Sequence, residues 1–266
     1  MHRFTRTEIM LGKEGLDRLR HSRIVICGIG GVGSYAAEAL GRAGIGSLKL
    51  VDFDTVCVTN INRQLHALEE TVGSPKAKVM AERLERINPD AEITAAIEFI
   101  KAENLAELLS PRPDYVLDAI DHFTSKVELI SYCREQGIPV ISSMGAATKR
   151  DPGKIHVDDI SQTSKCRMAR SLRKMLRARG ITAGIKVVYS TEEFDDQAFV
   201  LPSEEEKAAQ TGGIKKRVIL GSISFIPSIF GLTMAGVVVN DLLALANPAA
   251  TDEHQGNCNI QTPKSS

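Results

Sequence analysis

Apolar and polar positions along this chain alternate between a helical and a strand period, and the switch points mark its elements. Thr7 to Arg20 places Ile9, Met10, Leu11, Leu16 and Leu19 on a loosely helical spacing. Arg23-Ile24-Val25-Ile26-Cys27-Gly28 is a short apolar run closed by glycine, the pattern of a buried parallel strand. A helix rich in alanine and leucine follows from Gly31 to Ala43, and then a second strand, Ser47 to Asp52. The long polar loop Phe53 to Ser74 leads to Pro75, placed at the first turn of a helix running to Ile87. A strand near Ala91–Ile97, a helix near Ala102–Leu109 and a strand at Asp114–Asp118 come next. A helix near Phe123–Gln136 and a strand at Ile138–Ser142 complete the set. This interleaving predicts an α/β fold: a doubly wound, Rossmann-like, mostly parallel sheet with helices on both faces.

The remainder is less regular. Lys154–Ile160 and Ile185–Ser190 read as further strands, Ser164–Arg179 as a helix, and the polar, glycine-punctuated stretch 191–217 as a mobile loop. Val218 to Val239 carries no charged residue and is long enough to span a bilayer. Its serines, glycines and Pro227 argue instead for a buried strand, Ile219–Ile226, and a serine-capped helix, Ser228–Leu245, with no membrane span. Residues 1–247 are therefore read as one domain and 248–266 as a tail with little structure.

Composition narrows the function classes. The chain has 266 residues, 43% of them hydrophobic, which excludes disorder as the overall state. Its 33 basic and 33 acidic residues balance, so any affinity for nucleic acid must come from a local patch. The cysteines, Cys27, Cys57, Cys133, Cys166 and Cys258, are odd in number and none stand two residues apart. That is neither a disulfide framework nor a thiolate zinc site, and no apolar signal segment opens the chain, so a reducing cytoplasm is the expected location.

The residues that carry chemistry cluster after the strands. Gly28-Ile29-Gly30-Gly31-Val32-Gly33 sits between the first strand and first helix, where backbone N–H groups and the helix N-terminus suit a phosphate. Asp52 closes the next strand, where a carboxylate accepts from ribose hydroxyls. These features predict a nucleotide without choosing among NAD, FAD and ATP. Arg63, in Asn60-Ile61-Asn62-Arg63-Gln64, and Lys76, in Val72-Gly73-Ser74-Pro75-Lys76, favour a triphosphate, whose charge needs neutralising during group transfer. Asp118-Ala119-Ile120-Asp121 ends the fourth strand and offers one carboxylate suited to Mg²⁺. A solvated Arg, a solvated Lys and a helix-capping Asp account equally well for any one of these residues, but less well for the arrangement.

Together these segments resemble the ThiF/MoeB family, the ubiquitin-activating-enzyme-like ATP-dependent adenylating proteins, over roughly residues 3 to 145. The resemblance implies an ATP site of Gly28, Gly30, Gly31, Gly33, Asp52, Asp54, Asn60, Arg63 and Lys76, with Asp121 binding Mg²⁺. It also implies a homodimer in which Arg6 reaches into the partner's site, so that Asp121, Arg63, Lys76 and Arg6 form the catalytic set. The paired Cys-x-x-Cys zinc ligands common among sulfur-carrier activators are missing, so no zinc is expected. Asp159-Ile160-Ser161-Gln162-Thr163-Ser164 and Leu220 to Ser228 instead resemble the tRNA threonylcarbamoyladenosine dehydratase branch, which uses ATP to cyclise a modification beside the anticodon.

Charge supports a tRNA substrate independently. Lys165, Arg167, Arg170, Arg173, Lys174, Arg177 and Arg179 lie in one stretch without an acid, beside an apolar stripe of Met168, Leu172, Met175 and Leu176. Such an amphipathic basic helix suits a phosphate backbone, which Lys215-Lys216-Arg217 would extend, although a solvated face or a membrane-surface helix gives the same pattern. Cys166 lies amid cations, yet a tethered nucleophile needs no enzyme thiol, so Cys166 is read as structural. The competing functions are an activator of a small sulfur-carrier protein, an NAD-dependent oxidoreductase, and a docking protein of a cysteine desulfurase system, the last also a candidate partner.

Overall fold

In the computed structural model, which describes residues 1–195, 197–200 and 219–244, strand residues divide by parity between two apolar cores. Ile24 and Ile26 face one core while Val25 and Cys27 face the other, as a period of two requires of a strand covered on both faces. The strands are β1 (Arg23–Cys27), β2 (Ser47–Val51), β3 (Glu92–Ala96), β4 (Tyr115–Asp118), β5 (Val140–Ser143), β6 (Ile155–Asp159) and β7 (Lys186–Ser190). They form one sheet in the order β3-β2-β1-β4-β5-β7-β6, parallel except for β6, which runs antiparallel to β7 at the edge. The helices are α1 (Thr5–His21), α2 (Gly33–Ala43), α3 (Lys76–Ile87), α4 (Leu105–Leu108), α5 (Phe123–Glu135), α6 (Arg167–Arg177) and α7 (Phe225–Ala244).

One core is closed by α2, α3 and α7 with Leu19 of α1, the other by α4, α5 and α6. Strand order reverses at β1 and β4, and the crevice outside their carboxyl ends is where ligands bind in such sheets. Helices α2 and α7 cross so closely that a Cβ on Gly231 would overlap the backbone of Val32 and Ala36.

Three expectations change. Pro75 is the N-cap of α3 rather than its first residue. The segment expected as strand Ile219–Ile226 is extended only at Ile219–Leu220 (β9), paired antiparallel with Phe199–Val200 (β8). Pro227 does not divide strand from helix; it lies in the first turn of α7, where its missing N–H costs nothing, and Ser228 is inside the helix. The Ser228 hydroxyl donates to the Phe225 carbonyl at 2.7 Å. Helix α7 is long and apolar enough to cross a membrane, but half of its most apolar window is buried against the sheet and α2. Residues 201–217 of the expected loop, with Lys215-Lys216-Arg217, and the tail 248–266 with Cys258 lie outside the described residues.

Candidate active site

The glycine loop leaves β1 with Gly28 at φ 89°, a conformation that favours glycine, and the Gly28 carbonyl leaves no space for a Cβ on Gly33. One side chain holds the loop from outside. Asp52, at the end of β2, accepts from Ile29 N at 2.6 Å and from Asp54 N at 2.8 Å. Burial raises its pKa above the usual carboxylate range, while the Lys76 ammonium opposes that shift. Asp52 therefore braces the loop, a role separate from any ribose contact.

The loop after β2 brings the two cations to this edge. Lys76 is buried at the start of α3, and its ammonium pairs with Asp54 Oδ2 at 2.8 Å. Arg63 donates to the Thr59 carbonyl at 2.9 Å and to Asn62 Oδ1 at 2.8 Å, and its aliphatic stem lies over Gly31. Burial lowers its pKa and the charge of Asp121 counteracts that, so Asp121, exposed after β4, acts on Arg63 across the crevice. Asn60 is buried, with Oδ1 accepting from Cys57 N at 3.1 Å. Arg6 lies exposed in the first turn of α1.

Two features escaped the sequence reading. Lys126, within α5, is fully buried against Asp118 at 2.8 Å; a lone lysine in an amphipathic pattern gives no signal for this. Phe53, Phe99 and His122 form an edge-to-face ladder, with centroids 5.1 and 5.4 Å apart, along the ends of β2, β3 and β4. Gln64 and His66 are buried too, and Gln64 Oε1 and both His66 ring nitrogens find no partner among the described residues, so the His66 ring does not cap local structure there as its sequence position suggested.

On the face closed by α5, the basic helix α6 buries Ala169, Leu172 and Leu176 and exposes Arg167, Arg170, Lys174 and Arg177. Arg167 also lies over the Phe194 ring, 4.2 Å from its centroid, and Lys165 pairs with Glu193 at 3.4 Å. Arg173 departs from the expected phosphate-facing set. Its guanidinium turns inward to the carbonyls of Ile160 and Thr163, at 3.2 and 3.0 Å, tying down the turn before the helix. Arg179 is held by Glu128 at 2.8 Å. Cys166 is the N-cap of α6, its sulfur accepting from Ala169 N at 3.4 Å, in keeping with a structural thiol.

A doubly wound sheet with this glycine loop, braced acid and pair of cations defines an ATP-binding activating enzyme, and the chain belongs to the ThiF family, whose profile matches residues 4–262. A tRNA threonylcarbamoyladenosine dehydratase from Bacillus subtilis (strain 168) is 43% identical over 246 residues, 91% of this chain and 95% of the relative. The crystal structure of Escherichia coli tRNA N6-threonylcarbamoyladenosine dehydratase in complex with ATP superposes with a TM-score of 0.81 at 35% identity. That match covers 93% of this chain and 96% of the other. The complex of the same enzyme with AMP gives 0.79 at 37% identity, covering 92% and 95%.

Proposed function

We propose that this chain is an ATP-dependent tRNA threonylcarbamoyladenosine dehydratase that cyclises the modification beside the anticodon by activating its threonyl carboxylate. The observation that carries the reading is the meeting of the glycine loop, Arg63, Lys76 and the charge of Asp121 at one sheet edge.

The α2 N-terminus and glycine loop receive the phosphates, and Asp52 offers its remaining lone pairs to the ribose. The Phe53–Phe99–His122 ladder gives the base an aromatic wall. The substrate carboxylate bonds to the α-phosphorus as the bond to the bridging oxygen breaks and pyrophosphate leaves. Arg63 and Lys76 stabilise the charge that develops on that leaving group, Lys76 exchanging Asp54 for phosphate oxygens. A ureido group of the same modification then attacks the activated carbonyl. AMP departs with the carboxylate oxygen, a proton is lost and the ring closes, so the nucleoside loses one water.

Mg²⁺ prefers one or two carboxylates together with phosphate oxygens, a donor set that the exposed Asp121 suits. When bound, the ion neutralises phosphate charge. Arg167, Arg170, Lys174 and Arg177 present the cationic face for the tRNA backbone, and Arg173 is left out of that face because it holds the preceding turn. In a homodimer, Arg6 belongs to the partner's site.

Incubation with modified tRNA and ATP, followed by mass spectrometry of the nucleosides, is expected to show a product lighter by one water. An unchanged mass while ATP is bound overturns the assignment. Arg6→Ala and Lys76→Ala, each inactive alone, are expected to regain activity when mixed, because the hybrid dimer holds one intact site. Mixtures that stay inactive place Arg6 in its own chain's site.

A further inference from the structure

Lys126 is among the largest fully buried side chains of the described residues, and it is a cation. Its ammonium spends all three donors: on Asp118 Oδ2 at 2.8 Å, on Ser142 Oγ at 3.1 Å and on the Ser143 carbonyl at 3.0 Å. Asp118 is equally occupied, since Oδ2 also accepts from the Ser142 hydroxyl at 2.6 Å and Oδ1 from Ile120 N at 3.2 Å. The network thus ties α5 to the carboxyl ends of β4 and β5 and fixes the turn that runs from Asp118 to Asp121.

A buried ion pair is weak evidence for stability, because apolar side chains of similar volume serve as well or better. What such a pair supplies is a single geometry, and here the geometry is that of the turn carrying Asp121. Ligand-supporting groups of this kind act on a metal without touching it. We propose that Lys126 is a positioning residue: through Asp118 it sets the turn so that the Asp121 carboxylate is presented to the divalent cation carried by ATP. The proposal rests on the assignment of Asp121 to that cation.

The test measures ATP binding calorimetrically, in EDTA and in Mg²⁺, for the full-length protein and three variants. Asp118→Asn/Lys126→Met removes both charges with little change of volume. It is expected to fold and to bind ATP in EDTA as the parent does, while losing about tenfold of the affinity gained from Mg²⁺. Excess Mg²⁺ is expected to restore its turnover, which a merely loosened fold would not allow. Ser142→Ala keeps the pair and removes the shared hydroxyl; a smaller loss in the same direction is expected, and this variant decides alone if the double variant does not fold.

Asp121→Ala separates the two claims. If it retains the full Mg²⁺ gain, the metal assignment fails and Lys126 has nothing to position there. If it loses the gain while Asp118→Asn/Lys126→Met and Ser142→Ala keep theirs, the metal assignment stands and the positioning role is overturned.

Discussion

His66 lies between the two cations in sequence and is buried, and burial and the Lys76 charge hold its pKa down to about 4. Protonation therefore belongs to the unfolded chain, whose histidine has a pKa of about 6.5. The stability that follows is present above that value and is lost as pH falls toward 4, amounting to about 3 kcal/mol at most. Melting curves between pH 7 and pH 4.5 are expected to show this loss, and His66→Leu is expected to flatten it. Because both ring nitrogens are unpartnered among the described residues, His66→Leu should also cost little at pH 7. A large loss there would mean that the nitrogens hold a group outside the described residues. Asp52 gives a second pH signature: its raised pKa means that acid weakens ATP binding from a higher pH than an ordinary carboxylate would. Asp52→Asn should remove that dependence together with most of the affinity, since an amide cannot accept from both Ile29 N and Asp54 N.

At the scale of elements, the α2–α7 crossing is the tightest joint next to the site. A methyl at Gly231 meets backbone rather than a movable side chain, so Gly231→Ala must push α2 away from α7. A loss of about 1–3 kcal/mol is expected by chemical denaturation, with weakened ATP binding because α2 begins at the glycine loop. Most of these elements were legible from periodicity, since strands covered on both faces, such as β1 and β4, read as unbroken apolar runs. What was not legible was non-local. Ile219–Ile226 has strand-like composition, but only Ile219 and Leu220 pair with a strand, and Pro227 fits a first helical turn as readily as a break. The glycine loop and its acid carried their own local signal. Lys126 and the inward turn of Arg173 carried none, because the partners of each lie in other elements.

For the whole molecule, the formal charge of zero means that attraction to a polyanion must be local and salt-sensitive. The exposed cations of α6 share the face closed by α5, away from the core that α2 and α7 close. Arg170, Lys174 and Arg177 changed together to Gln are expected to raise the KM for tRNA. The salt slope of tRNA binding should fall by about 1 for each phosphate no longer neutralised. ATP affinity should be unchanged, and a parallel loss of ATP binding would show that the helix serves the crevice instead.

The same joint orders events in time. Pro227 abuts Gly31, and Phe230 completes the core beneath α2, so the first ligand-binding turn of the chain is buttressed by the last helix described. A nascent polypeptide still on the ribosome has made its glycine loop long before it has made that support. Nucleotide capture should therefore begin only after residue 244 has emerged from the exit tunnel, as stalled chains of increasing length would reveal.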